Sequence, residues 1–158
     1  MGACLVLHGH GVRARTVIVQ VGGRSQLTEI LARRYVCLAC DAVALVMPAD
    51  VARRCLYTLS VIAAALAQWS HGGWSAAAVR SAFSAFPLLG DAAAGWPSLV
   101  RWSGMAERLW PRIGRLPCSS PRALAYQVSA KLSAFAPVPL GRVLVDCVAG
   151  AVHAYRGR

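Results

Sequence analysis

Between Val12 and Val21 the chain reads VRARTVIVQV, β-branched and partly alternating. That pattern predicts a strand with Arg13 and Arg15 on the same face as Val17 and Val19. Gly22-Gly23 breaks it, and the runs Leu27 to Val36 and Val43 to Met47 predict two more strands before Pro48 stops the strand character. After Asp50 the period changes: Leu59, Ile62, Leu66 and Trp69 recur at spacings of three and four, one face of a helix that Gly72-Gly73 ends. Ser75 can cap a second helix whose buried side is Val79, Ala82 and Phe83. A loop from Pro87 to Gly95 follows, and Trp96-Pro97 opens a third helix, with proline suited to its first turn. On that helix Leu99, Trp102, Ala106 and Leu109 share one side. Arg101 and Arg108 lie opposite, with Ser98 and Met105 at the margin, and Pro111 kinks or ends it. Ser120-Pro121 starts a further helix with Leu124, Val128, Leu132 and Phe135 at helical spacing, and Leu140 to Tyr155 predicts the last.

The expected fold is therefore α+β. A small β module (residues 1–50) precedes a helical domain (51–116) that opens as helix, short glycine turn and second helix, as a helix-turn-helix does. The C-terminal helices (117–158) either close the core or form a dimer surface. The tryptophans at 69, 74, 96, 102 and 110 read as packing residues rather than a stacking platform.

Composition narrows the function. Of 158 residues 57% are hydrophobic and only 15% charged, so a packed core is expected rather than a disordered tail. The most apolar stretch, Leu56 to Trp69, is shorter than the roughly 20 residues that a membrane span needs, and Arg142 and Asp146 interrupt the other candidate. With no export signal visible in MGACLVLHGHGVRAR, a cytoplasmic protein is the expectation. Sixteen arginines and one lysine, Lys131, face only six acidic residues, for a formal charge of +11. Those scattered acids argue against a paired-carboxylate hydrolase or a magnesium-dependent nuclease. An enzyme using Cys37 or Cys40 as nucleophile with His8 or His10 as base would lack a third, orienting group, so no enzyme is expected.

The cysteines carry one local pattern, Cys37-Leu-Ala-Cys40. A C-x-x-C turn can aim two thiolates at one tetrahedral zinc ion, and Cys4 with His8 or His10 could complete a Cys₃His site. The alternatives are a ribbon whose thiols no longer hold metal, or a redox pair lacking its usual βαβ setting. Cys55, Cys118 and Cys147 sit among apolar neighbours and read as small core residues.

The order LHGHGVRAR, RRYVCLACDAVALVMPADVARR, LYTLSVIAAALAQWSHGGWSAAAVR and WPSLVRW resembles bacterial transposase-derived proteins. In these an N-terminal zinc ribbon precedes a helix-turn-helix. The resemblance, over about residues 4 to 110, implies that Cys37 and Cys40 are the second zinc knuckle and Cys4 one cysteine of the first, whose other cysteine this chain lacks. It implies DNA binding without strand transfer, because no RNase H-like catalytic domain follows. The charge points the same way: arginine forks pair with phosphates and release counterions. The expected partner is double-stranded DNA. Arg13, Arg15, Arg33, Arg34, Arg53 and Arg54 are expected at the backbone, and Arg80 and Arg101 in the groove, with Ser98 and Arg108 on the same helical surface. A protein–protein adaptor using the C-terminal helices is the alternative, and no small-molecule substrate is expected.

Overall fold

The computed structural model describes residues 6–86, 95–118 and 120–155. Three antiparallel strands in the order β1-β2-β3 form one sheet: β1 (Leu7–Val21), β2 (Arg24–Cys37) and β3 (Val43–Val46). Gly22 and Gly23 both take positive φ, 57° and 78°, and the pair Val21↔Arg24 closes on them. Two left-handed residues are what a two-residue hairpin needs to match the twist of its strands, and glycine supplies them without a Cβ clash. The β1 register slips between Gly9 and Val12, a bulge that lets the ladder continue through the polar stretch His8-Gly9-His10-Gly11. Strand character thus begins five residues before the alternating pattern does.

Among the described residues six α-helices follow: α1 (Leu59–Ser70), α2 (Ala76–Phe83), α3 (Pro97–Gly104), α4 (Ala106–Leu109), α5 (Pro121–Ser133) and α6 (Val143–Tyr155), with a short 3-10 turn at Pro111–Ile113. The apolar stretch that raised the membrane question is mostly α1. Leu59, Val61, Ile62, Ala63, Ala65, Leu66 and Ala67 are all buried, so this helix is apolar nearly all round because neighbours surround it. It packs against α5 and α6, with α2 and α3 beside it. Among the described residues no helix is long and apolar enough to cross a membrane.

Side chains fix the helix ends. Asp50 stands ten residues upstream of Ser60, yet its carboxylate accepts from both the Ser60 amide (2.8 Å) and the Ser60 hydroxyl. It satisfies an orphan amide in the first turn of α1, which the Thr58 side chain does not cap. Ser75 and Ser120 cap α2 and α5 locally. The Asp146 carboxylate, buried in α6, accepts from the amides of Leu140 (2.9 Å) and Arg142 (3.0 Å). That capture turns residues 140–142 into the entry of the helix, so α6 starts at Val143 rather than at Leu140. Where α5 and α6 cross, Gly150 leaves no room at all: a Cβ there would lie 1.8 Å from the Leu132 carbonyl oxygen.

The third helix is divided. Met105, at φ −94° and ψ 0°, separates α3 from α4, and its amide donates to both Arg101 and Trp102 carbonyls. Leu99, Trp102, Ala106 and Leu109 are nevertheless all buried, so the apolar side is kept across the break. Helix α3 packs chiefly on α5 and then on α1.

Candidate functional site

The sheet joins the helices through a short parallel contact. The Ile18 amide donates to the Leu56 carbonyl (2.7 Å), and the Thr58 amide to the Ile18 carbonyl (3.1 Å). Val17 and Ile18 are wholly buried there, whereas β1 residues further from the junction are exposed. Beside the junction opens a cleft of about 770 Å³. Its walls include Arg13 and Arg15 from β1, Val43 and Leu45 from β3, and the turn Arg53-Arg54-Cys55 that leads into α1. Among the described residues no acid lines it.

These four arginines do different work. Arg15 is half-buried and spent on the fold: its guanidinium donates to the carbonyls of Ala52 (3.1 Å) and Cys55 and lies 3.2 Å from the Met47 sulfur. It ties β1 to the turn. Arg13, Arg53 and Arg54 are exposed and keep their charge toward solvent. Arg54 sits at φ 62°, a left-handed conformation that costs a residue with a Cβ roughly 1–2 kcal/mol.

A cluster of aromatic rings continues the site toward α3. Tyr57 meets Trp96 and Trp102 edge-on, with centroids 5.7 and 5.0 Å away, and the two indoles meet at 4.8 Å. Burial pushes the Tyr57 phenol up, while a hydrogen bond with Ser84 and the charges of Arg80 and Arg101 pull it back. Burial likewise raises the Cys55 thiol, against the charges of Arg15 and Arg101. Arg101 therefore stands close to both the cleft and the rings. It is exposed, with a contact to the Ser98 hydroxyl (3.4 Å), while Arg80 is half-buried and reaches the Gly95 carbonyl (3.3 Å). Arg108 is exposed on α4, beyond the break at Met105.

Register separates the remaining pair. Arg34 alternates with Ala32, which lines the cleft and faces Arg13 across the ladder, so Arg34 shares the cleft's side of the sheet. Arg33 lies on the other side. The structure thus brings together Arg13, Arg15, Arg53 and Arg54, with the charge of Arg101 reaching Cys55 in the cleft wall, and leaves Arg33 apart.

At the cysteine turn, Cys37 is buried at the end of β2 and Cys40 is exposed. The Cys37 amide donates to Ala42, the Asp41 amide to Cys37, and Asp41 takes φ 55° to close the turn. His8 pairs with Val36, one position from the Leu7↔Cys37 pair, so it faces the side of the ribbon away from Cys37. His10 is exposed at the bulge, and Cys4 lies outside the described residues. Among the described residues no three His, Cys, Asp or Glu side chains converge. They supply two thiols on one turn, which falls short of a four-coordinate zinc site.

No protein-family model, curated protein or solved structure matches the chain. Chemically the site is a cationic recess with an aliphatic wall, and its described lining residues include no carboxylate. Such a surface attracts polyanions. Sequence reasoning missed Tyr57 and Asp50: neither stands in a motif, and each acquires its role from residues distant in the chain.

Proposed function

We propose that the chain binds double-stranded DNA through the junction cleft, as a transposase-derived or regulatory protein. The observation that supports this most is the convergence of Arg13, Arg53 and Arg54 on one cleft with no acid among its described lining residues, and the charge of Arg101 reaches Cys55 in its wall. Sequence-remote arginines held together add their fields over one patch, and each phosphate neutralised releases counterions. Arg13, Arg53, Arg54 and Arg34 would contact the backbone, and Arg101, with Ser98 and Arg80 near it, would reach toward a groove. The resemblance to transposase front ends supports the same reading.

Zinc belongs to this proposal only if Cys4 joins Cys37 and Cys40, with a histidine as fourth ligand. Elemental analysis of protein purified without chelator decides it: one equivalent supports a ribbon site, and none removes zinc from the reading.

A second reading, a protein–protein adaptor, draws on the apolar residues Val138, Leu140, Leu144 and Val145, which stay exposed around the start of α6. Mobility shifts with a random-sequence duplex at low salt separate the two. Retarded complexes that fade as salt rises support DNA binding, and no complex at any salt refutes it.

A further inference from the structure

The face of the sheet turned away from the arginine cleft carries a group of exposed aliphatic residues and, among the described residues, one acid and one base. Alternation along β2 puts Glu29, Leu31 and Arg33 on this face, and register adds Leu7 and Val12 from β1 and Val46 from β3. Leu31 is 62% exposed and Val12 and Val46 are 57% and 58% exposed, unusual for branched aliphatic residues at neighbouring positions. Glu29 and Arg33 flank Leu31 at equal distances along the strand, both exposed. That arrangement complements itself. A two-fold axis through Leu31, perpendicular to the strands, lays β2 antiparallel on β2 of a second copy and brings each Glu29 against the other's Arg33.

We propose that this face is the contact between two copies of the chain, which pair sheet to sheet about Leu31. Leu31 then packs on its own counterpart at the centre, and the two ion pairs set direction, since a parallel arrangement would oppose Glu29 to Glu29 and Arg33 to Arg33. The overlapping strands cover on the order of 400 Å² from each copy. That is below the standard interface size and corresponds to weak, micromolar association. The apolar patch near α6 makes a poorer self-contact, because Arg142 stands within it and a two-fold axis would bring two like charges together. Pairing through the sheet leaves both arginine clefts facing outward.

Sedimentation equilibrium on the full chain, free of nucleic acid and up to about 100 µM, tests this independently of the DNA reading. The wild type is expected to dimerise. Glu29→Arg alone and Arg33→Glu alone should each be monomeric, since each creates two like-charge contacts. An equimolar mixture of the two variants should regain the dimer, because every contact is then opposite in sign. Both positions are exposed, so circular dichroism of each variant should match the wild type. A monomeric wild type, single variants that still dimerise, or a mixture that stays monomeric overturns the inference. So does a dimer that dissolves on Leu144→Glu with Val145→Glu and not on the sheet variants.

Discussion

Replacing Arg15 with methionine separates an arginine that builds the site from those that use it. Methionine keeps much of the aliphatic stem and removes the donors to Ala52 and Cys55. A hydrogen bond from a charged donor contributes about 1.5–3 kcal/mol, and the half-buried position argues for the lower part of that range for each bond. The Ala52 carbonyl retains the Cys55 amide as a partner at 3.3 Å, so its desolvation is partly relieved. A loss of about 2–4 kcal/mol follows, a large share of the roughly 5–15 kcal/mol that holds a domain together. Urea unfolding followed by tryptophan fluorescence should show the midpoint falling by about 1–2 M. Arg15→Lys should recover only part of this, because one ammonium lacks the planar fork that reaches two carbonyls. Gln at Arg13, Arg53 or Arg54 should change stability by less than about 0.5 kcal/mol, as exposed substitutions do. If Arg15→Met unfolds with the wild type, Arg15 is a free cation and the division of labour within the cleft is wrong.

Other consequences concern the frame that carries the cleft. Gly150→Ala should destabilise by about 3 kcal/mol or more: α5 and α6 must part by about 1.5 Å to relieve the Leu132 contact, which outweighs alanine's ~1 kcal/mol helix advantage. Equal or greater stability in a thermal melt would show that the crossing has slack. Burial above all, with Asp146 adding to it, pushes the Cys147 thiol from 9.0 to about 12. The folded state then keeps this proton while the unfolded chain loses it, so stability should fall as pH rises from about 9 to 12, by up to about 4 kcal/mol. Urea midpoints across that range should lose part of their slope in Cys147→Ala. Asp50→Ala and Asp146→Ala should each cost about 1–2 kcal/mol as lost caps, measured by the same unfolding curves, with Asn at either position recovering about half.

Much of the frame is legible in the sequence. VRARTVIVQV announces β1 because its branched residues alternate, and Gly22-Gly23 marks a hairpin because two left-handed residues in a row suit little else. LYTLSVIAAALAQW announces α1 through its period, although its burial on all sides becomes visible only with α5 and α6 around it. The site is harder to read, because its parts are defined by distance in space. Arg13 and Arg15 are indistinguishable by residue type and strand face. Only the fold of the turn at 52–55 makes one a structural clamp and leaves the other exposed. Arg33 and Arg34 are neighbours in the chain, yet strand alternation sends them to opposite sides. Asp50 lies beyond the reach of any local capping rule, and Met105 splits a helix whose apolar periodicity runs straight through it.

The central claim is that Arg13, Arg53 and Arg54 act together as one phosphate-binding surface. The salt dependence of duplex affinity measures this most directly, comparing the wild type with a variant in which all three are glutamine. Each phosphate contact contributes about 0.9 to the slope of log affinity against log salt, so the triple variant should lose about 2.7. The wild type should therefore weaken about 40-fold more than the variant between 50 and 200 mM salt. Parallel slopes for the two proteins, with the variant still folded, would mean that DNA does not meet the chain at this cleft.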